Sequence, residues 1–169
     1  MELQFAPSVM NSVKAGDKAL DFATVDDSGN RVSLADLKGK WVVLFFYPKD
    51  DTEGCTKEAC DFRDHWRDFQ QAGAVILGVS PDGVESHRKF KAKYNLPFAL
   101  LSDADHTVAL AYGAWGAKKM YGREYEGILR TTVVIDAEGR IARVFPKVRV
   151  KDHADDVLGV LKAMGTGER

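Results

Sequence analysis

Cysteine is scarce in this chain. Two of the 169 residues are Cys, too few for disulfides to be the source of the fold's stability. Long apolar runs are missing too, which excludes a membrane-spanning helix. No charge dominates: 24 Lys and Arg against 25 Asp and Glu leave 24 − 25 = −1. A chain so balanced sets up no long-range field for a polyanion, so nucleic acid is not an expected partner. There is no internal repeat, no low-complexity stretch and no glycine-rich phosphate loop after a strand. The first 16 residues lack the charged start and continuous apolar core of a secretion signal. They are read as a loosely ordered lead-in, with a cytoplasmic location as the expectation. In that compartment two cysteines are more often metal-binding or redox-active than a permanent cross-link.

What is present reads as one globular unit. Hydrophobic residues make up 45% and charged residues 29% of the sequence, as in an ordinary water-facing domain. The expected layout is a lead-in over residues 1–13, a single domain over 14–164 and a tail over 165–169. Residues 20–25 and 31–33 flank a turn-rich link and suggest a short hairpin. Residues 41–47 form a near-continuous apolar run, as in a strand buried on both faces, and Pro48 ends it. A helical pattern covers residues 55–72 and stops at Gly73, and residues 74–79 form a second buried strand. A charged amphipathic helix over 84–94, a short strand over 97–101 and a short helix over 105–112 follow. Residues 113–127 carry four glycines and are expected to be a loop or irregular hairpin. A hairpin over 131–146 and a final helix over 152–164 complete the chain. Alternating strands and helices with a late hairpin predict an α/β fold, a mixed central β-sheet flanked by helices in the thioredoxin-like arrangement.

The chemistry concentrates in residues 45–60, Phe-Phe-Tyr-Pro-Lys-Asp-Asp-Thr-Glu-Gly-Cys-Thr-Lys-Glu-Ala-Cys. A buried strand ends at Pro48, a polar loop follows and Cys55 opens a helix. That puts a thiol at the end of a parallel strand, where open α/β sheets bind ligands. It also puts the thiol beside unpaired N–H groups and the positive end of the helix dipole, which favour the reactive thiolate. At 100° per residue, Cys55, Ala59, Phe62, Trp66 and Phe69 share a stripe that must face the sheet. Cys60 lies about 140° away, among Lys57, Asp64 and Arg67. In an intact helix the two Cα atoms would stand roughly 8.6 Å apart, beyond the ~7 Å that a disulfide tolerates. If the two form a redox couple, the first turn of the helix must unwind on oxidation.

Blander readings stand beside this one. Cys55 could be a core cysteine and Cys60 a chance surface thiol. Cys55, Cys60 and His65 have the atoms for a zinc site but lack a close Cys-x-x-Cys pair and a fourth ligand. His87 falls near Phe90 and Tyr94 on its helix and reads as a core-edge residue. His65, His106 and His153 have no partner pattern and read as surface residues. Trp115 and Tyr121 read as hydrophobic loop anchors. A thioredoxin-like thiol–disulfide oxidoreductase or a redox sensor is the functional alternative, although the former normally carries Cys-x-x-Cys.

At these residues the sequence resembles the peroxiredoxins. Pro48-x-x-x-Thr52-x-x-Cys55 matches their active-site pattern. The run from Cys55 to Cys60 resembles the bacterioferritin comigratory protein, or peroxiredoxin Q, subfamily. So do Gly78-Val79-Ser80-Pro81-Asp82, the Trp115-Gly116-x-Lys118-Lys119-x-Tyr121-Gly122 segment and Gly127-Ile128-Leu129-Arg130-Thr131-Thr132. Leu20 departs from the pattern, at a turn where the family usually has Pro. The resemblance implies a peroxidase in which Cys55 is the peroxidatic cysteine and Cys60 the resolving one. It further implies that Thr52 contacts the peroxide, Pro48 shields the pocket and Arg130 lies near Cys55. Glu58 matches as well, with no role assigned. The implied partners are a hydroperoxide and a thioredoxin or glutaredoxin-like reductant, with no metal or other cofactor. Members of the subfamily are often monomeric, so a monomer is expected.

Overall fold

The computed structural model describes residues 13–164; the lead-in up to residue 12 and the tail from residue 165 lie outside the described residues. Strand β3 (Trp41–Phe46) is the centre of the molecule. It pairs in parallel with β4 (Ala74–Ser80) and antiparallel with β8 (Thr131–Ile135). The seven-stranded sheet runs β2-β1-β5-β4-β3-β8-β9. Here β1 is Ala23–Val25, β2 Arg31–Ser33, β5 Ala99–Ser102 and β9 Ile141–Phe145. It is a mixed sheet flanked by helices, as a thioredoxin-like fold requires.

A strand in the middle of such a sheet must be apolar on both faces, and the side chains of β3 divide by the strand period of two. Val43, Phe45 and Tyr47 point into one core, with α1 (Glu53–Asp64), α2 (Trp66–Gln71), α3 (Val84–Tyr94) and α5 (His153–Ala163). Val42, Leu44 and Phe46 point into the other, beneath α4 (Thr107–Ala111) and a 3-10 turn over Leu34–Leu37. The stripe expected to face the sheet does so: Cys55, Ala59, Phe62 and Phe69 are buried in the first core, and Trp66 packs against it.

Four readings of the chain need correction. The helix over 55–72 is two helices, because the backbone tightens at His65 (φ −105°, ψ 11°). No glycine or proline marks that break; the His65 ring lies 3.1 Å from Asp155 of α5 and 2.9 Å from the Asp61 carbonyl oxygen. Residues 113–127 hold a regular hairpin, β6 (Trp115–Met120) with β7 (Arg123–Ile128). Its turn residues Tyr121 and Gly122 both take positive φ, 54° and 78°, as a two-residue turn twisted to suit a hairpin demands. Tyr121 is 96% exposed and anchors nothing. The hairpin strand read from Leu20 starts only at Ala23, and Leu20 is exposed.

Candidate active site

Cys55 is the third residue of α1, behind Glu53 and Gly54, and not its first. Thr52 occupies the N-cap position, and its carbonyl oxygen accepts the N–H of Thr56 at 2.8 Å. Its hydroxyl caps no helix N–H; it donates to the Lys49 carbonyl oxygen at 2.8 Å and so closes the loop on itself. Pro48, half-buried, ends β3, and Thr52 is exposed. Chain order alone therefore brings Pro48, Thr52 and Cys55 to one end of the sheet, beyond the carboxyl ends of β3 and β4.

The fourth member comes from 75 residues away. Arg130 immediately precedes β8, which is hydrogen-bonded to β3, so its side chain reaches the same end of the sheet. Its Nη2 lies 3.4 Å from Cys55 Sγ, and its Nη1 donates to Glu58 Oε1 at 2.6 Å. Gly54 leaves room for this: a Cβ there would stand 3.3 Å from Arg130 Nη2. Burial works against the guanidinium charge, but Glu58 and Cys55 outweigh it and hold Arg130 above its ordinary value.

Glu58 is the functional residue that sequence reasoning left without a role. It follows Cys55 by three positions and therefore shares its helix face, which was the available signal. Glu58 is fully buried, and burial pushes its carboxyl up to about 7 despite the opposing pull of Arg130. Its Oε2 is buried with no hydrogen-bond partner. Lys118 on β6 is the second addition. Burial lowers its pKa and repulsion from Arg130 lowers it further, while Cys55 acts in the other direction; a second cation thus feels the thiol.

Cys60 sits on the same helix, partly exposed, and both thiols are free. Burial raises the Cys60 pKa, with Arg63 pulling it down and Asp64 pushing it up. The α1 helix is intact across both cysteines, so their sulfurs face different directions. His65 lies against Asp61 and Asp155 instead of the cysteines, which removes it from the zinc constellation weighed above. Among the described residues, Asp50, Asp82 and His87 bring metal-type ligand atoms within 4.8 Å of one another. Those carboxylates already accept bonds from Tyr47, Ser80 and Ser86. His153, read as a surface residue, is buried against the rings of Phe62 and Phe145, with Nε2 2.8 Å from the Thr132 hydroxyl.

A reduced thiol held against a guanidinium at the start of a helix, on this sheet, defines a thiol-redox enzyme. The AhpC/TSA family model matches residues 15–144. A putative peroxiredoxin bcp of Coxiella burnetii is 55% identical over 150 residues, 89% of this chain and 99% of that protein. Peroxiredoxin Bcp of Bacillus subtilis is 52% identical over 153 residues, covering 90% of this chain and 98% of its own. A solved structure of Xanthomonas campestris peroxiredoxin Q superposes with a TM-score of 0.81 at 42% identity, covering 84% of this chain and 90% of that one. The chain belongs to the AhpC/TSA family, within it to the peroxiredoxins of the Bcp and Q type, and is a thiol-dependent peroxidase. No helix among the described residues is long and apolar enough to cross a membrane.

Proposed function

We propose that Cys55 is the peroxidatic nucleophile, Cys60 the resolving cysteine, and Arg130, Thr52 and Pro48 the groups that shape the peroxide site. The observation that carries this reading is the placement of Arg130 Nη2 at 3.4 Å from Cys55 Sγ, with Nη1 pinned on Glu58. A guanidinium remains cationic and offers donors in a fixed plane, so one group serves both the thiolate and the oxygen next to it. The Cys55 thiolate attacks the terminal oxygen of R–O–O–H; the S–O bond forms and the O–O bond breaks. The hydroperoxide's own proton passes to the departing oxygen, which leaves as alcohol or water, and the Cys55 sulfenate takes up a proton from solvent. The Thr52 hydroxyl, whose own proton is held by the Lys49 carbonyl oxygen, accepts the peroxide O–H, and the first N–H groups of α1 supply donors to the same oxygens. Cys55, now a sulfenic acid, condenses with Cys60, releasing water and forming a disulfide. An external dithiol of the thioredoxin or glutaredoxin kind, in the cytoplasm, returns both thiols. The working unit is a monomer. Hydrogen peroxide and organic hydroperoxides are both substrates; a Xanthomonas campestris bacterioferritin comigratory protein, 41% identical, is described in connection with alkyl peroxide reduction.

Stopped-flow tryptophan fluorescence tests the assignment, because Trp66 packs against the core that holds Cys55. Cys55→Ser should abolish the peroxide-induced change. Cys60→Ser should keep the first oxidation, lose efficient recycling and over-oxidise more readily. Normal turnover in Cys55→Ser would refute the reading.

A further inference from the structure

Helix α3 supplies none of the residues assigned above to the peroxide site, yet the loop that carries Pro48 and Thr52 is fastened to it. Asp50, in the middle of that loop and 7% exposed, accepts the Tyr47 hydroxyl on Oδ1 at 2.6 Å and the Ser86 hydroxyl on Oδ2 at 2.8 Å. The same Oδ2 faces His87 Nδ1 at 2.7 Å. His87 is fully buried, and its Nε2 lies 2.9 Å from the Leu101 carbonyl oxygen of β5. A carbonyl oxygen only accepts, so Nε2 carries a proton. The other nitrogen meets a carboxylate oxygen, and a second carboxylate, Asp82, lies within 4.8 Å of both groups. Asp50 Oδ2 already accepts the Ser86 hydroxyl, and a carboxylate oxygen only accepts, so Nδ1 donates to it as well and both ring nitrogens carry protons.

The loop is tied from its backbone as well. The Asp50 N–H donates to Asp82 Oδ2 at 2.7 Å, and the Ser80 hydroxyl donates to the same oxygen at 2.8 Å. Through Tyr47, Ser80 and Leu101, then, Asp50 is referred to the ends of β3, β4 and β5. The next residue, Asp51, takes a φ of 60°, a conformation that a residue with a side chain holds only when its surroundings impose it. On the outer side its carboxylate is held by Lys93 Nζ and the Tyr94 hydroxyl, each at 2.8 Å.

We propose that His87 and Asp50 form a buried imidazolium–carboxylate pair that positions the 48–52 loop over the Cys55 thiol. The proposal rests on the reading of Cys55 as the peroxide nucleophile. Both are positioning residues, acting through Pro48 and Thr52. A buried ion pair is a poor source of net stability, because desolvation offsets its attraction. It does impose one geometry on the backbone that carries it, and a peroxide wedged between a thiolate and fixed donors needs that: a misplacement of ~1 Å costs such a reaction about a hundredfold.

The pair is tested by nitrogen-15 NMR of histidine-labelled, reduced wild-type protein at neutral pH, with His87→Gln used to assign the signal. Both His87 ring nitrogens should show one-bond couplings to protons; a single protonated nitrogen overturns the ion pair. Its positioning role is tested by Asp50→Asn, which keeps the shape and lets the amide serve a neutral His87. The second-order rate of oxidation by hydrogen peroxide should fall about tenfold or more, while alkylation of Cys55 by iodoacetamide and the Tm stay within about twofold and a few degrees. Alkylation needs the thiolate but not the oriented loop. Unchanged oxidation, or a parallel fall in both reactions, overturns the role. If Asp50→Asn does not fold, Ser86→Ala, which removes one donor from Asp50, should lower oxidation severalfold and spare alkylation, and equal loss in both overturns the role again. Wild-type protein that shows both couplings yet ignores peroxide sinks the peroxidatic reading and leaves the ion pair standing.

Discussion

At the scale of the single side chain, the position of Arg130 is decided by Glu58: with Nη1 at 2.6 Å from Oε1, the other arm of the guanidinium is left 3.4 Å from Cys55 Sγ. Glu58→Ala should therefore cut the second-order rate of oxidation by peroxide at least tenfold, and Glu58→Gln, which keeps an acceptor for Nη1, should lose only severalfold. Stopped-flow mixing with hydrogen peroxide measures both; equal rates in Ala and Gln variants would mean that the carboxyl does not steer Arg130. Pro48 and Thr52 fall in the same local segment, though only the family resemblance gave them roles, whereas Cys55 was legible from position alone, at the head of an apolar stripe behind a buried strand. Arg130 was not, since nothing in residue spacing brings a side chain across 75 positions; only the family resemblance pointed to it. Glu58 shares the Cys55 helix face and matched the family pattern, but nothing in the sequence paired it with Arg130, 72 residues away. His153 was hidden for a different reason. A histidine between two phenylalanine edges, bonded to Thr132, requires β8, β9 and α1 to be assembled first.

The elements carry their own consequences, and the helix with both cysteines is the sharpest case. A disulfide between Cys55 and Cys60 cannot form while α1 keeps its turns, since their Cα atoms stand roughly 8.6 Å apart in a regular helix. The far end of α1 is tethered: Asp61 Oδ2 accepts the Ala154 N–H of α5 at 2.8 Å, and Arg63 Nη1 donates to the Tyr94 carbonyl oxygen at 2.8 Å. Oxidation should accordingly strip hydrogen-exchange protection from the amides up to Cys60 and leave those beyond Asp61 protected. An unchanged exchange pattern in a Cys55–Cys60-bonded sample would refute the unwinding. Under this helix, Phe45 stacks on Phe62 with centroids 4.8 Å apart. Its ring fits because its cross-strand neighbour is Gly78, where a Cβ would come within 2.9 Å of both Phe45 and Leu100. Gly78→Ala should cost about 1–3 kcal/mol by overpacking, read from urea unfolding. Buried strands were legible for the same reason that they are stable, their unbroken apolar runs. The β6–β7 hairpin was not, because Gly116 and Gly127, paired opposite each other, look like breakers in sequence. Each is in fact a strand position next to a side chain: a Cβ would stand 3.0 Å from Leu129 at Gly116 and 3.2 Å from Lys118 at Gly127.

Across the whole molecule, two buried groups make stability respond to pH in opposite senses. Burial pushes Glu58 from 4.5 up to about 7, so the folded protein holds this proton more tightly than the unfolded chain does. Its contribution is present below 4.5 and is lost as pH rises through about 7. Burial likewise pushes His153 from 6.5 down to about 4, so the folded protein refuses a proton that the unfolded chain accepts. That contribution is present above 6.5 and is lost as pH falls towards 4. Between 4.5 and 6.5 the two slopes, each up to roughly 1.4 kcal/mol per pH unit, oppose one another and the wild type should be nearly flat. Removing one group uncovers the other. Glu58→Gln should make urea-unfolding stability rise with pH across that window, and His153→Gln should make it fall. Arg130 depresses both groups, so Arg130→Gln should move the loss at Glu58 to higher pH and shift that at His153 upward with it. A pH profile that keeps its wild-type shape in all three variants would mean that neither buried group titrates with folding, and that the charge at the thiol site is not coupled to the stability of the fold around it.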